Sequence, residues 1–154
     1  MKFDERGLVP VVVQDERTGE VRMVAYANEE ALRRTRETGM ATFFSRSRGA
    51  LWEKGESSGN GIEVSHVLVD CDEDCVLYVG RPHGPSCHTG AATCFFRDVD
   101  GAAAEPATIL ARLEGILEAR KASTTEASYT KSLYDGGPAR IGAKLREEAG
   151  ELAD

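Results

Sequence analysis

The sequence predicts an α+β protein in which a mostly antiparallel β-sheet domain with one short helix (residues 1–105) is followed by a short all-α appendage (residues 106–154). Three observations carry that prediction. Runs rich in Val, Ile, Phe, Tyr and Trp recur up to residue 98, separated by Gly, Asn and Asp clusters, as strands and turns require. Only one stretch in that region has the capping chemistry of a helix. At 98–108, "DVDGAAAEPAT", small residues with Gly101 and Pro106 mark a linker, and beyond it Ala, Leu, Glu, Arg and Lys take over.

The elements follow in order. "LVPVVVQDERTGEVRMVAYAN" reads as two strands around a Thr18-Gly19 turn, with the Asp15-to-Gly19 cluster supplying the hairpin chemistry. "NEEALRRTRETG" is the helix, with Asn28 as N-cap, Glu29 and Glu30 in the first turn and Gly39 closing it. "ATFFSRS", "ALWEKGES", "IEVSHVLVDCD" and "CVLYVGRP" lean to strand, and "ATCFFRDVD" closes the series. In the tail, Ile109, Leu113, Ile116 and Leu117 recur at helical spacing, "EASYTKSLYDGG" ends on glycines, and "PARIGAKLREEAGELAD" opens on a proline suited to a helix start. There is no internal repeat.

Composition narrows the function classes. The 154 residues are 41% hydrophobic and 29% charged with 5 prolines, which suits one globular domain or one domain with a small appendage. No apolar run approaches the roughly 20 residues of a membrane span, and "MKFDERGLVP" has acids where a signal peptide has basic residues, so a cytoplasmic protein without membrane partners is expected. The net charge is −7 with no Lys/Arg block, which argues against a nucleic-acid partner and requires any anionic ligand to be met by a focused basic patch.

All 4 cysteines lie between residues 71 and 94. Such clustering in a cytosolic chain points to metal binding or catalysis rather than to disulfides. In "VDCDEDC", residues 69–75, strand alternation would place Asp70, Asp72 and Asp74 on one face. Three adjacent carboxylates repel unless a cation neutralises them, which suits Mg²⁺, although a solvated acidic edge would show the same residues. Cys71 would point the other way, towards Cys87 in "GPSCHTG" and Cys94 in "ATCFF". Three thiolates with an open fourth position are the pattern of a catalytic zinc; Cys75 would complete a closed four-thiolate site, but along a strand it lies about 13 Å from Cys71 at about 3.3 Å per residue. Its "CVLYV" context makes Cys75 a buried thiol. His88, next to Cys87, is placed to act as a base for a metal-activated water, or else to hydrogen-bond the turn, while His66 and His83 read as structural or surface residues.

Residues 43–60, "FFSRSRGALWEKGESSGN", gather Ser45, Arg46, Ser47, Arg48, Lys54, Ser57, Ser58 and Asn60 around three glycines. Guanidinium forks, hydroxyls and exposed amides are what phosphate oxygens require. Trp52 either stacks on a base or fills the core.

Together, "SRSRGALWEKGESSGN", "DCDED" and "GPSCHTGAATCFF" resemble the phosphoribosyl-AMP cyclohydrolases of histidine biosynthesis, over residues 7 to 98. The resemblance implies a zinc site of Cys71, Cys87 and Cys94 shared between the subunits of a homodimer, and a magnesium site of Asp70, Asp72 and Asp74. It implies hydrolytic attack at C6 of the substrate's adenine, cleavage of the C6–N1 ring bond, His88 moving the proton, and Arg46, Arg48 and Lys54 holding phosphate. "SYTKSLYDGGPARIGAKLREEAGELAD" resembles the opening of a phosphoribosyl-ATP pyrophosphohydrolase, with Lys144 and the acidic trio Glu147, Glu148 and Glu151 at helical spacings that would begin a second Mg²⁺ site, although a solvated Glu-rich helix end would show the same acids. That family also needs acids from a later helix, so a fragmentary second domain, inactive alone, is expected.

Two rivals remain. One is a zinc-stabilised module that binds a nucleotide or RNA without catalysis; the acidic charge and the three-plus-one cysteine pattern disfavour it. The other is a deaminase, whose H-x-E and P-C-x-x-C signatures the sequence lacks.

Overall fold

The computed structural model describes residues 1–104, 108–122 and 128–153. Strand β1 (Val9–Asp15) alternates buried and half-buried side chains along its whole length, because it lies inside a sheet with a neighbour on each edge. Its hairpin partner β2 (Val21–Ala27) is antiparallel to it, and the turn between them closes as the sequence requires: Asp15 Oδ1 accepts the amides of Arg17 at 2.9 Å and Thr18 at 3.3 Å, and Gly19 takes φ +72°. Helix α1 (Glu29–Thr38) has Asn28 as its N-cap, whose side chain accepts the Ala31 amide, and it ends on left-handed Gly39. Its buried face is Ala31, Leu32 and Thr35.

β3 (Thr42–Ser45) and β4 (Ala50–Glu53) form a separate two-stranded antiparallel sheet. β5 (Ile62–Val69) and β6 (Val76–Pro82) return to the main sheet, whose order is β2-β1-β6-β5. Three of the four strand pairings are antiparallel, and the parallel one joins β1 to β6 after the intervening elements cross over. Val9, Val11, Val13, Phe43, Ile62, Val76 and Tyr78 fill the core without exposure. Thr35 locks α1 to β3 by accepting the Thr42 amide at 3.0 Å and donating to its carbonyl at 3.3 Å.

Two stretches expected to be extended are not: the end of one strand and the whole of another. Residues 70–75 form the loop between β5 and β6 rather than an extension of β5. Asp70 Oδ1 accepts the amides of both Asp74 and Cys75 at 3.0 Å, Glu73 sits at φ +66°, and the chain turns back on itself. The alternation of acids and thiols on opposite strand faces therefore does not exist, and neither does the strand separation that set Cys75 apart from Cys71. "ATCFFRDVD" is likewise irregular, with only an isolated bridge from Arg97 to Ala103. Its hydrogen bonds go instead to β2, where the Thr93 hydroxyl donates to the Val21 carbonyl at 2.7 Å and the Cys94 amide to the Arg22 carbonyl at 2.8 Å.

The chain divides into two units, Met1–Ala111 and Arg112–Asp154. The boundary expected at residue 105, beside Pro106, lies outside the described residues. The tail is helical: α2 (Ile109–Ala122), α3 (Tyr129–Asp135), capped by the Ser128 hydroxyl, and α4 (Gly137–Ala153). No helix among the described residues is long and apolar enough to cross a membrane.

Candidate active site

The β3–β4 hairpin and the loop that follows it face the 85–94 loop across a cleft of about 550 Å³. From the first side come Arg48, Trp52, Lys54, Ser57, Ser58 and Asn60; from the other come Cys87, His88 and Cys94. Nine residues singled out by two separate motifs thus line one cavity. Glycine makes the wall possible: Gly55, at φ +89°, leaves no space for a Cβ against the main chain of Asn60 and Gly61. Trp52 is supported from beneath by Phe43, whose ring centroid lies 4.9 Å away, and Phe43 in turn packs on Tyr78 at 5.7 Å. Trp52 therefore rests on the core, one of its two expected roles, while also lining the cleft.

The two thiols influence each other's ionisation, and their surroundings treat them differently. Cys87 is buried, yet its thiol is pulled below the ordinary range because the Thr89 hydroxyl, 3.1 Å away, and the Thr89 amide donate to the sulfur. Cys94 is pushed up, first by desolvation and then by the charge of Cys87. One thiol ionises readily and opposes ionisation of the other, so a second thiolate requires a nearby cation. Lys54 supplies part of that charge. Its ammonium donates to the Asn60 carbonyl at 3.0 Å, and its affinity for the proton is lowered by burial and partly restored by Cys94 and Cys87. The His88 Nδ1 lies 3.9 Å from the Cys87 sulfur.

The remaining predicted residues fall elsewhere. Ser45 and Arg46 line an adjoining, more open hollow with Tyr26, Arg48 and Trp52, and the Arg46 guanidinium stacks 3.8 Å over the Tyr26 ring. Ser47 is exposed, its hydroxyl 3.4 Å from that of Ser45. Cys71 is exposed on the β5–β6 loop and is not brought together with Cys87 and Cys94 within the chain. Cys75 is half-buried, and desolvation raises its thiol. His83 lies 3.7 Å from Glu63, and His66 is exposed beside Ser65.

Asp70, Asp72 and Asp74 each present a carboxylate oxygen within 4.8 Å of the others, the only such cluster of three or more His, Cys, Asp or Glu among the described residues. The Cys75 and Asp74 amides hold Asp70 below the usual carboxylate range, while the charge of Asp72 raises Asp74. The charge of Lys2 offsets only part of that repulsion, and such clustered oxygens fit a hard divalent ion. In α4, by contrast, Glu147 and Glu148 both pair with Lys144 at 2.8 Å, which already supplies a positive charge there, and Glu151 is exposed without joining a three-acid cluster.

Sequence reasoning missed several contributors. Met23, Pro85 and Ser86 also line the cleft, and Arg22 and Thr93 anchor its cysteine loop. Alternation in β2 would have flagged Met23, but nothing local signals that the 85–94 loop docks on β2.

A cleft that pairs two unequal thiols and a histidine with basic and hydroxyl groups is the equipment of an enzyme acting on an anionic substrate. Comparison with known proteins gives the particular family. Residues 23–96 match the model of phosphoribosyl-AMP cyclohydrolase, and residues 110–154 match that of phosphoribosyl-ATP pyrophosphohydrolase. The chain is 48% identical to the histidine biosynthesis bifunctional protein HisIE of Aquifex aeolicus, over 98% of this chain and 76% of that protein. It is 49% identical to the protein of the same name from Thermus thermophilus, over 99% of this chain and 71% of that one. The phosphoribosyl-AMP cyclohydrolase of Methanoregula boonei is 56% identical over 66% of this chain and 82% of its own length. The chain belongs to the bifunctional histidine-biosynthesis family in which a phosphoribosyl-AMP cyclohydrolase domain precedes a phosphoribosyl-ATP pyrophosphohydrolase domain.

Proposed function

We propose that the first unit catalyses zinc-dependent hydrolytic opening of the adenine ring of phosphoribosyl-AMP, in the cytoplasm and as a homodimer. The observation that carries this reading is the convergence of Cys87, Cys94 and His88 with Arg48, Lys54 and the Ser57–Ser58–Asn60 wall in one cleft. Cys87 and Cys94 would hold zinc together with Cys71 of the partner subunit, since Cys71 of the same chain stands apart from them. Such a zinc supplies a Lewis acid that makes an adjacent water acidic enough to react near neutral pH. Asp70, Asp72 and Asp74 would hold Mg²⁺.

The chain's own groups do the rest. Arg48 and the Ser57 and Ser58 hydroxyls receive phosphate, and Trp52 offers a ring face to the base. His88 accepts a proton from the water as its oxygen bonds to C6, and returns that proton to N1 as the C6–N1 bond breaks. Lys54, held at Asn60, offsets the negative charge of the thiolate pair.

Mass spectrometry of phosphoribosyl-AMP incubated with the zinc-loaded chain tests the proposal. A product heavier by one water that disappears on zinc chelation supports it. Untouched substrate with zinc bound and the chain folded would favour the zinc-stabilised binding module instead.

A further inference from the structure

Behind the cysteine loop lies a buried ion cluster to which the mechanism assigns no role. Arg22, on β2, is 10% exposed in its side chain, and its Nη1 lies 2.9 Å from Glu20 and 3.7 Å from Asp15, both of which are more deeply buried. A guanidinium with two carboxylates in the interior is an expensive way to fill space, since desolvating them cancels most of their attraction. The cluster must therefore be read by what else it touches. The Arg22 Nε reaches Ser86 Oγ at 3.4 Å, and Ser86 is the buried residue directly before Cys87. The Arg22 carbonyl accepts the Cys94 amide at 2.8 Å and the Thr93 hydroxyl at 3.3 Å. Between these two attachments the loop is closed on itself, the Ser86 amide donating to the Ala92 carbonyl at 3.2 Å and the Cys87 amide to that of Ala91 at 3.1 Å.

We propose that Arg22 is a positioning residue for the Cys87–Cys94 pair: its side chain holds the Cys87 limb through Ser86, its carbonyl holds the Cys94 limb, and Asp15 and Glu20 fix the guanidinium between them. One residue thereby sets the separation of two sulfurs that local sequence leaves seven positions apart. A planar fork suits the task because separate nitrogens meet the carboxylates and the hydroxyl at once, which a lysine ammonium on its single stem does not do. The metal-binding consequence rests on the zinc reading of the cysteine pair; the anchoring of the loop does not.

Two variants of the full chain test it. Ser86→Ala removes the hydroxyl and leaves the ion cluster intact, so it folds; Arg22→Lys keeps the charge and loses the fork. Cobalt(II) titration, read by the thiolate-to-cobalt absorption band, is expected to show affinity weaker by about 10- to 100-fold in both variants, the usual effect of losing a group that orients a ligand. In the metal-free chain, the alkylation rate of Cys87 relative to that of Cys75 is expected to rise several-fold, because a loosened loop exposes the buried thiol. Where the parent chain binds cobalt, unchanged affinity in both variants overturns the inference. Where the parent gives no cobalt band, the zinc reading falls instead, and the alkylation ratio decides the positioning role: a rise supports it and an unchanged ratio overturns it.

Discussion

Replacing Phe43 by Leu tests how the core supports the cleft. The ring is fully buried, 4.9 Å from Trp52 and 5.7 Å from Tyr78. Leucine keeps most of the volume, a change that by itself costs less than about 1.5 kcal/mol. Two ring neighbours are lost as well, each worth about 0.5–1.5 kcal/mol beyond burial. A total near 2 kcal/mol is therefore expected, a large part of the roughly 5–15 kcal/mol that holds a domain together. Trp52 is the single tryptophan of the chain, so its emission during urea unfolding reports the first unit alone. With a slope of about 1–2 kcal/mol per molar urea, the midpoint should fall by about 1–2 M. Trp52 also lines the cleft, so KM for phosphoribosyl-AMP should rise while zinc content holds. An unchanged midpoint with unchanged native emission would refute the claim that the Phe43 ring carries the indole.

Cys94→Ser is expected to lose zinc and turnover together, measured by metal analysis and product formation; full activity with zinc retained overturns the ligand assignment. For His88→Ala the expected outcome is retained zinc with a rate lower by roughly 10²–10⁴, the range for loss of a general base. Gly55→Ala places a Cβ against the main chain of Asn60 and Gly61 at a φ of +89°, so its cost should exceed about 1 kcal/mol, and calorimetry should show a melting temperature at least about 4 °C lower.

What the sequence made legible was whatever local chemistry determines. Asn28 and Gly39 bound the helix because capping is decided within a few residues, and Asp15 through Gly19 turn the hairpin for the same reason. The acidic trio was found for a partly mistaken reason: "VDCDEDC" alternates like a strand, but a carboxylate at Asp70 that captures two amides makes a loop cheaper than an extended chain. The three carboxylates still converge, now by curvature instead of by pleat. "ATCFF" misled in the other direction, because its apolar residues suit a strand while its hydrogen bonds are taken by β2, more than seventy positions away for Thr93 and Val21. No local pattern announces a partner that distant, and the same blindness hid Arg22 and Ser86.

The basic residues show how one compositional signal divides among several tasks once it is folded. Arg46, Arg48 and Lys54 all read as phosphate ligands in a chain of net charge −7. In the structure Arg46 spends its face on Tyr26, and Lys54 is committed to the Asn60 carbonyl and to the field of the two thiols. Arg48 borders both hollows, so it stands where a phosphate in either one would lie. Glu53 and Glu56 share the cleft wall and weaken any general positive field there. On the function proposed above, phosphate recognition in this cleft would rely on Arg48 and on short-range donors, the Ser57 and Ser58 hydroxyls, more than on accumulated charge. An acidic protein can hold an anionic nucleotide on such terms, because directed donors act at contact distance whatever the sign of the net charge.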